Sequence, residues 1–270
     1  MFQNINTTII YCWIVLEEKK QMSIFNPKWY VEQMKHWSFR SYMLLMFGLG
    51  AITASTLSHP INAIAIWTWL AGTLGFTCTV AITNAKPLNG VLGLVSALIY
   101  IYVAINAKNF SDVVLQLSYI VLLDIPVLVS PQWAKDAEKH IHGLTGMKWL
   151  LTAVFFFVAW GLLYLMDTHL FISPRPIIDS VSAAIGFTGA LLCTLRFREQ
   201  YYFWTVQGVM SIILWGVTAT QGDASPVLFL TYIMYFMNDM IAFFDSHIHW
   251  FHKDASANRA RDEKLSNEQA

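Results

Sequence analysis

Charge is scarce in this sequence. Only 13% of its 270 residues are Asp, Glu, Lys or Arg, while 56% are hydrophobic and the mean hydropathy is +0.48. Soluble domains carry about a quarter charged residues, so this composition excludes one. Cysteine is scarce too: Cys12, Cys78 and Cys193 are odd in number and two lie inside long apolar runs, which excludes a disulfide framework and a zinc site. With 8 Pro and 14 Gly the chain is neither collagen-like nor low-complexity. Seventeen basic residues balance seventeen acidic ones, leaving no electrostatic footprint for nucleic acid. There is no G-x-S-x-G, H-E-x-x-H or Gly-rich phosphate loop, hence no nucleophile–base pair to support an enzyme. His247-x-His249-x-x-His252 spreads its rings around a helix and reads as interfacial, so neither a metal nor another cofactor is expected. An integral membrane protein remains.

Runs of roughly 20 apolar residues suffice to cross a bilayer as helices, and eight can be placed: 41–58, 61–83, 88–107, 110–130, 149–167, 177–196, 200–221 and 225–246. Runs such as Leu150 to Leu165 do not alternate, which argues against a β-barrel. Short connections such as His59-Pro60 and Lys108-Asn109 make neighbouring helices antiparallel. Assigned alternately to two sides, the loops place fifteen of the seventeen Lys and Arg on the side of both termini, leaving Lys108 and Arg175 opposite. By the positive-inside rule both termini are cytoplasmic. Residues 1–40 form a cytoplasmic leader in which Ile9 to Leu16 is too short to span and Met22 is a candidate start; residues 247–270 form a polar cytoplasmic tail, expected to be mobile from Lys253 onward.

A shift of 113 residues lays 61–83 on 174–196, 88–107 on 201–220 and 110–130 on 223–243, pairing Tyr119 with Tyr232 and Leu115 with Leu228. Three spans recur as three spans, with one helix between them. The two triplets therefore run the same way, as parallel repeats about an axis along the membrane normal. The expected architecture is all-α with eight transmembrane helices as 1+3+1+3: an additional helix 41–58, a first repeat 61–130, a loop and linker helix 131–176, and a second repeat 177–246. Transporters of this kind bind substrate between the halves.

The loops use up every Lys and Arg, so a phosphorylated or carboxylated substrate would lack its partner in the membrane. The buried polar groups are instead Ser96, Tyr100, Gln116, Asp124, Gln207, Ser211, Tyr232, Tyr235, Asn238 and Asp239. Tyr201, Trp204, Gly208, Ser211 and Trp215 share one helical face, and Tyr232, Tyr235, Asn238 and Asp239 form a second stripe. Rings beside amides suit a flat heteroaromatic substrate, by stacking or cation–π contact and by hydrogen bonding; sugars would use the same groups. Plainer readings stand beside these. Tyr201, Trp133, Trp149, Trp160 and Trp250 suit an interfacial belt, Trp204 and Trp215 helix packing, Asn238 and Gln116 interhelical hydrogen bonds, and Asp179 the N-terminus of its own helix. Asp124 needs a partner or a proton.

Asp179-Ser180, Arg196-Phe-Arg-Glu199-Gln200-Tyr201-Tyr-Phe-Trp204, Ser211-Ile212, Trp215, Gly222-Asp223 and Tyr235-x-x-Asn238 resemble the PnuC family of nicotinamide riboside (vitamin B3) transporters, with Leu98-Ile-Tyr100 and Leu115-x-x-x-Tyr119 as first-repeat counterparts. The family signature W-x-x-W-x-x-x-N reads Tyr201-x-x-Trp204-x-x-x-Gly208, and Ser96, Gln116, Asp124 and Tyr232 replace Asn, Asn, Gln and Trp. The resemblance implies a 3+1+3 core similar to SWEET sugar transporters, and facilitated uptake of the riboside across a bacterial inner membrane with trapping by cytoplasmic phosphorylation. Thiamine, a (deoxy)nucleoside and proton coupling through Asp124 or Asp239 are the alternatives. Expected substrate contacts are Trp204, Asn238, Tyr235, Tyr232, Gln207, Tyr201, Gln116, Asp124, Ser96 and Tyr100. The expected partners are the vitamin or nucleoside, membrane lipid and further copies of the chain in a homo-oligomer. A cysteine introduced between residues 131 and 148 is expected to react with an impermeant maleimide only in inside-out vesicles; labelling from outside would remove the parallel repeat.

Overall fold

The computed structural model describes residues 26–129, 141–255, 257–258 and 260–261. The leader reading of residues 1–22, Met22 included, lies outside them, as do residues 131–140 of the cytoplasmic loop and the tail after Arg261. The chain divides into two units, residues 1–36 and 37–270. The described part of the first is one short helix, α1 (Pro27–Gln33), with proline in its first turn and the Asn26 carboxamide oxygen accepting from the Lys28 N–H at 3.0 Å.

Among its described residues the second unit holds eight helices of at least 18 residues: α2 (Phe39–Leu57), α3 (Ala63–Thr83), α4 (Leu88–Asn106), α5 (Phe110–Val129), α6 (Gly146–Leu170), α7 (Pro176–Thr194), α8 (Gln200–Thr220) and α9 (Val227–Phe244). Among the described residues there is no strand, only an isolated bridge between His142 and Phe197. Ser38 and Asn62 cap α2 and α3 by accepting the N–H of Ser41 and Ala65. Seven helices, α3 to α9, are long and apolar enough to cross a membrane among the described residues. The segment read as a first span is helical, but Arg40, Ser41 and Tyr42 at one end and Thr53, Ser55 and Thr56 toward the other leave α2 less apolar than those seven.

Neighbours in sequence pack side by side in α3–α4–α5 and again in α7–α8–α9, and contacts of α5 with α7 and of α9 with α3 close the six into a ring. Helices α2 and α6 lie outside it, on α3 and α7 respectively, with α2 also touching α9.

Backbone capping repeats between the two triplets. After α3, the N–H groups of Asn84, Ala85 and Lys86 bond to Val80, Ile82 and Ala81; after α7, those of Leu195, Arg196 and Phe197 bond to Leu191, Cys193 and Leu192. Ala85 and Arg196 both have positive φ there, 53° and 60°. The same pattern follows α4 and α8, with positive φ at Lys108 (59°) and Gly222 (81°). These are left-handed C-caps that reverse the chain in a few residues. They also correct the constant shift of 113. The offset is 111 at Ala85 and Arg196, 114 at Lys108 and Gly222, and 117 between the starts of α5 and α9, because the α7–α8 loop, helix α8 and the α8–α9 loop are each longer than their first-repeat counterparts.

Polar ties hold the ring together at the end formed by the α4–α5, α6–α7 and α8–α9 loops. Asp179 does not serve its own helix alone: its carboxylate accepts the N–H of Ser111 and Asp112 at 3.0 and 3.1 Å, capping α5, whose Asn109 makes no side-chain cap. Ser111 donates to Asp167 of α6 at 2.7 Å. Arg175 is buried there and donates to Asn109 Oδ1 (3.0 Å), the Ala107 carbonyl, Gln221 and Asp223 (2.9 Å), while Lys108 reaches Asp223 at 3.2 Å. The Arg175 guanidinium, with Lys108 beside it, holds the Asp223 carboxyl below the ordinary aspartate range. A lowered folded-state pKa means this tie is complete at neutral pH and is lost as pH falls through that lowered value. Asp223 is 23% exposed, so Asp223→Asn is expected to cost about 1 kcal/mol, between surface and buried pairs. Thermal unfolding in detergent should show the loss at pH 7, with the gap between mutant and parent narrowing in acid.

Candidate functional site

Inside the ring a cavity of about 100 Å³ is walled by five of the six helices. Helix α3 contributes Gly75, Cys78, Thr79 and Ile82; α4 contributes Gly93, Ser96, Ala97 and Tyr100; and α5 contributes Gln116, Tyr119, Leu123 and Asp124. From the other triplet come Trp204, Gln207 and Gly208 of α8, and Tyr232, Tyr235 and Asp239 of α9. The wall carries hydroxyls, amides, rings and two carboxyls, and neither lysine nor arginine.

Helix α7 supplies space rather than a wall. A Cβ at Gly186 would stand 2.9 Å from the Tyr119 hydroxyl, and one at Gly189 would stand 2.6 Å from the Trp204 ring. The first triplet matches this: a Cβ at Gly75 would meet the Tyr235 hydroxyl at 2.4 Å and Ser96 Oγ at 2.7 Å. Gly75 and Gly186 are therefore equivalent, and Tyr119 pairs structurally with Tyr235, not with Tyr232 as the shift of 113 suggests.

At a rise of about 1.5 Å per residue, the antiparallel helices sort the wall by depth. Tyr100, Gln116 and Tyr232 lie toward the tied end, Ser96, Tyr119, Gln207 and Tyr235 in the middle, and Trp204, Asp124, Asp239 and Cys78 toward the opposite end. The tied end is closed by a hydrogen bond from the Tyr100 to the Tyr232 hydroxyl at 2.9 Å, with Trp215 edge-on to Tyr100 at 5.6 Å. Below that closure Gln207 donates to Ser211 at 2.7 Å, and Ser211 exchanges a bond with Ser182 at 2.8 Å.

Eight of the ten expected contact residues, Trp204, Tyr235, Tyr232, Gln207, Gln116, Asp124, Ser96 and Tyr100, meet at this one cavity. Asn238 and Tyr201 do not. Asn238 lies about 90° around α9 from the middle of the stripe formed by Tyr232, Tyr235 and Asp239. Its amide donates to Thr83 Oγ1 at 2.8 Å, tying α9 to α3. Tyr201 is fully buried one turn beyond Trp204, its hydroxyl 3.4 Å from Thr83 Oγ1 and its ring among Trp250, Phe243 and Phe251. Neither Tyr201 nor Trp250 is a belt residue. Asn238 and Tyr201 instead meet at Thr83, toward the end of the helices opposite the tyrosine pair. Trp215 shares the face of Trp204 but sits three turns deeper, where it packs rather than lines.

Sequence reasoning left out Tyr119, Cys78 and Thr79 as wall residues, and placed Asp239 in the polar stripe of its helix without counting it among the substrate contacts. A signal for Tyr119 existed: Gln116, Tyr119 and Leu123 recur at i, i+3 and i+7 along α5. Two of the three tail histidines point to local partners, His247 to Asp245 at 2.9 Å and His252 to the Phe243 carbonyl at 3.0 Å.

Comparisons with known proteins agree on one family. The sequence profile described as "Nicotinamide mononucleotide transporter" matches residues 65–251. A protein named "Nicotinamide riboside transporter PnuC" from Neisseria mucosa is 27% identical over 241 residues, 85% of this chain and 89% of that protein. One of the same name from Haemophilus influenzae is 25% identical over 185 residues, 66% of this chain and 78% of that protein. The structure resembles one described as "Crystal structure of the Vitamin B3 transporter PnuC", with a TM-score of 0.68 at 23% identity, covering 83% of this chain and 96% of that one.

Asn238→Ala removes a buried interhelical bond and leaves the Thr83 hydroxyl short of a partner. The expected result is a loss of about 1–3 kcal/mol in stability, read as a lower unfolding midpoint in detergent. An unchanged midpoint would show that the bond contributes nothing.

Proposed function

We propose, from the premise that this chain belongs to the nicotinamide mononucleotide transporter family, that it is a membrane transporter for uptake of nicotinamide riboside. It is not an enzyme. The observation that carries the substrate is the cavity wall, where rings, hydroxyls and amides surround a space without a basic side chain. A nucleotide's phosphate would want Arg or Lys, and this favours the riboside, the cargo named for both relatives, over the mononucleotide named by the family. The riboside's pyridinium ring suits the Trp204, Tyr119 and Tyr235 rings. Its ribose suits Ser96, Gln116, Tyr100 and Tyr232.

In this reading the chain crosses a bacterial inner membrane eight times as 1+3+1+3, both termini in the cytoplasm. Three findings support the two parallel repeats: the capping shared by α3 and α7 and by α4 and α8, the closed ring, and the matching seats of α2 on α3 and α6 on α7. The cavity is smaller than the roughly 300–1,000 Å³ of ordinary ligand pockets, so loading parts the helices. The tyrosine pair gates one end, and the layer of Tyr201, Thr83 and Asn238 gates the other. Movement is downhill, and phosphorylation of the product in the cytoplasm keeps it inside. Asp124 and Asp239 on the wall favour thiamine, also a cation, as the second reading.

Calorimetric titration of the purified protein with nicotinamide riboside, its mononucleotide, thiamine and a set of nucleosides is the test. Saturable binding of the riboside and none of the mononucleotide is expected; the reverse order overturns the assignment. Trp204→Ala is expected to weaken riboside binding by about 1–3 kcal/mol through lost stacking, with the same isotherms as readout.

A further inference from the structure

The carboxyl of Asp124 reaches the cavity through an irregularity in its helix. Asp124 follows Gln116 by eight residues, which in an uninterrupted α-helix would place it about 80° away around the axis. Between Ile120 and Asp124 α5 widens into one π-helical turn, closed by the Ile125 N–H bonding to the Ile120 carbonyl. That turn lags the α-helical rotation and brings Asp124 back toward the line of Gln116 and Tyr119. Its cause is Pro126, which has no N–H to offer the Leu122 carbonyl four residues earlier and would clash with it. The Thr194 hydroxyl of α7 donates to that carbonyl instead, at 2.6 Å.

The wall opposite is hollowed to receive the side chain. A Cβ at Gly93 would stand 2.1 Å from Asp124 Oδ1, so only glycine leaves the carboxyl its place. Asp124 is 4% exposed and its Oδ2 has no hydrogen-bond partner. The other ionisable groups on the wall are Asp239, Cys78 and the tyrosines, and none is basic. Gly93 lies five residues into α4 and Trp204 four into α8, so carboxyl and indole ring stand at the same depth. A flat cation there would meet a π-face and a carboxylate together, whereas a neutral ring of the same shape would use only the first.

We propose that Asp124, delivered by the π-helical turn of α5 into the recess at Gly93, is the residue that selects a positively charged heteroaromatic ring over an uncharged one of the same size. This rests on the reading of the cavity as the substrate site.

The test compares a cation with its neutral isostere in parent and Asp124→Asn proteins: nicotinamide riboside against its dihydro form, and thiamine against its neutral deaza analogue, all by calorimetry. The parent is expected to prefer the cation in whichever pair it binds. Asp124→Asn should weaken the cation about ten- to a hundredfold, the range of a charge-assisted contact, and leave the neutral ligand within about twofold. Equal losses for both ligands, no loss, or a parent indifferent to ring charge in both pairs overturns the proposal. Preference within the thiamine pair alone, abolished by the substitution, upholds it while removing the riboside. Should Asp124→Asn not fold, Gly93→Ala, which evicts the carboxyl, is expected to give the same selective loss.

Discussion

A polar atom inside a membrane bundle must find its partner within the chain, because hydrocarbon offers none. That constraint divides the polar residues here into two kinds. Most are spent on ties: Arg175, Asp179, Asn109 and Asp223 at one end of the ring, and Thr83 and Asn238 at the other. Serine and threonine hydroxyls along the helices satisfy themselves on carbonyls one turn back, as Thr73, Thr77 and Thr79 do in α3. On the cavity wall the buried Asp124 Oδ2 is left without a partner, and there the chain can recognise something other than itself.

The two triplets share their framework and differ in what they place on it. Gly75 and Gly186 receive Tyr235 and Tyr119 in the same way, and Ser96 and Gln207 flank them in the same way. Symmetry fails one turn further on. There the second triplet has Gly189 covered by the Trp204 ring, and the first has Cys78 and Gly93 beside the Asp124 carboxyl. A duplicated scaffold has thus acquired an aromatic side and an acidic side, which gives the cavity a direction that neither repeat has alone.

Most of the architecture was legible in the sequence because membrane helices announce themselves by composition. Their boundaries agree within a few residues from α3 to α9. Helix α2 lies where a first span is expected but is less apolar than the other seven, and a constant repeat shift missed loops of unequal length. At the site, helical periodicity brought Trp204, Gln207, Tyr232 and Tyr235 together but gives angle without depth. Tyr201 and Trp215 lie on the same face as Trp204, one beyond each end of the cavity. Asn238 failed on angle, by a quarter turn. The π-helical turn was the least legible feature. Pro126 marks a break in any helix, yet only Thr194, seventy residues away in sequence, shows how that break is resolved.

Tyr119 and Tyr235 also lie where the two triplets abut, α5 on α7 and α9 on α3. At each seam a phenol is seated on a glycine, Tyr119 on Gly186 with Leu115 beside it and Tyr235 on Gly75 with Ser96 beside it. One added methyl at either glycine would therefore wedge the triplets apart at the level of the cavity.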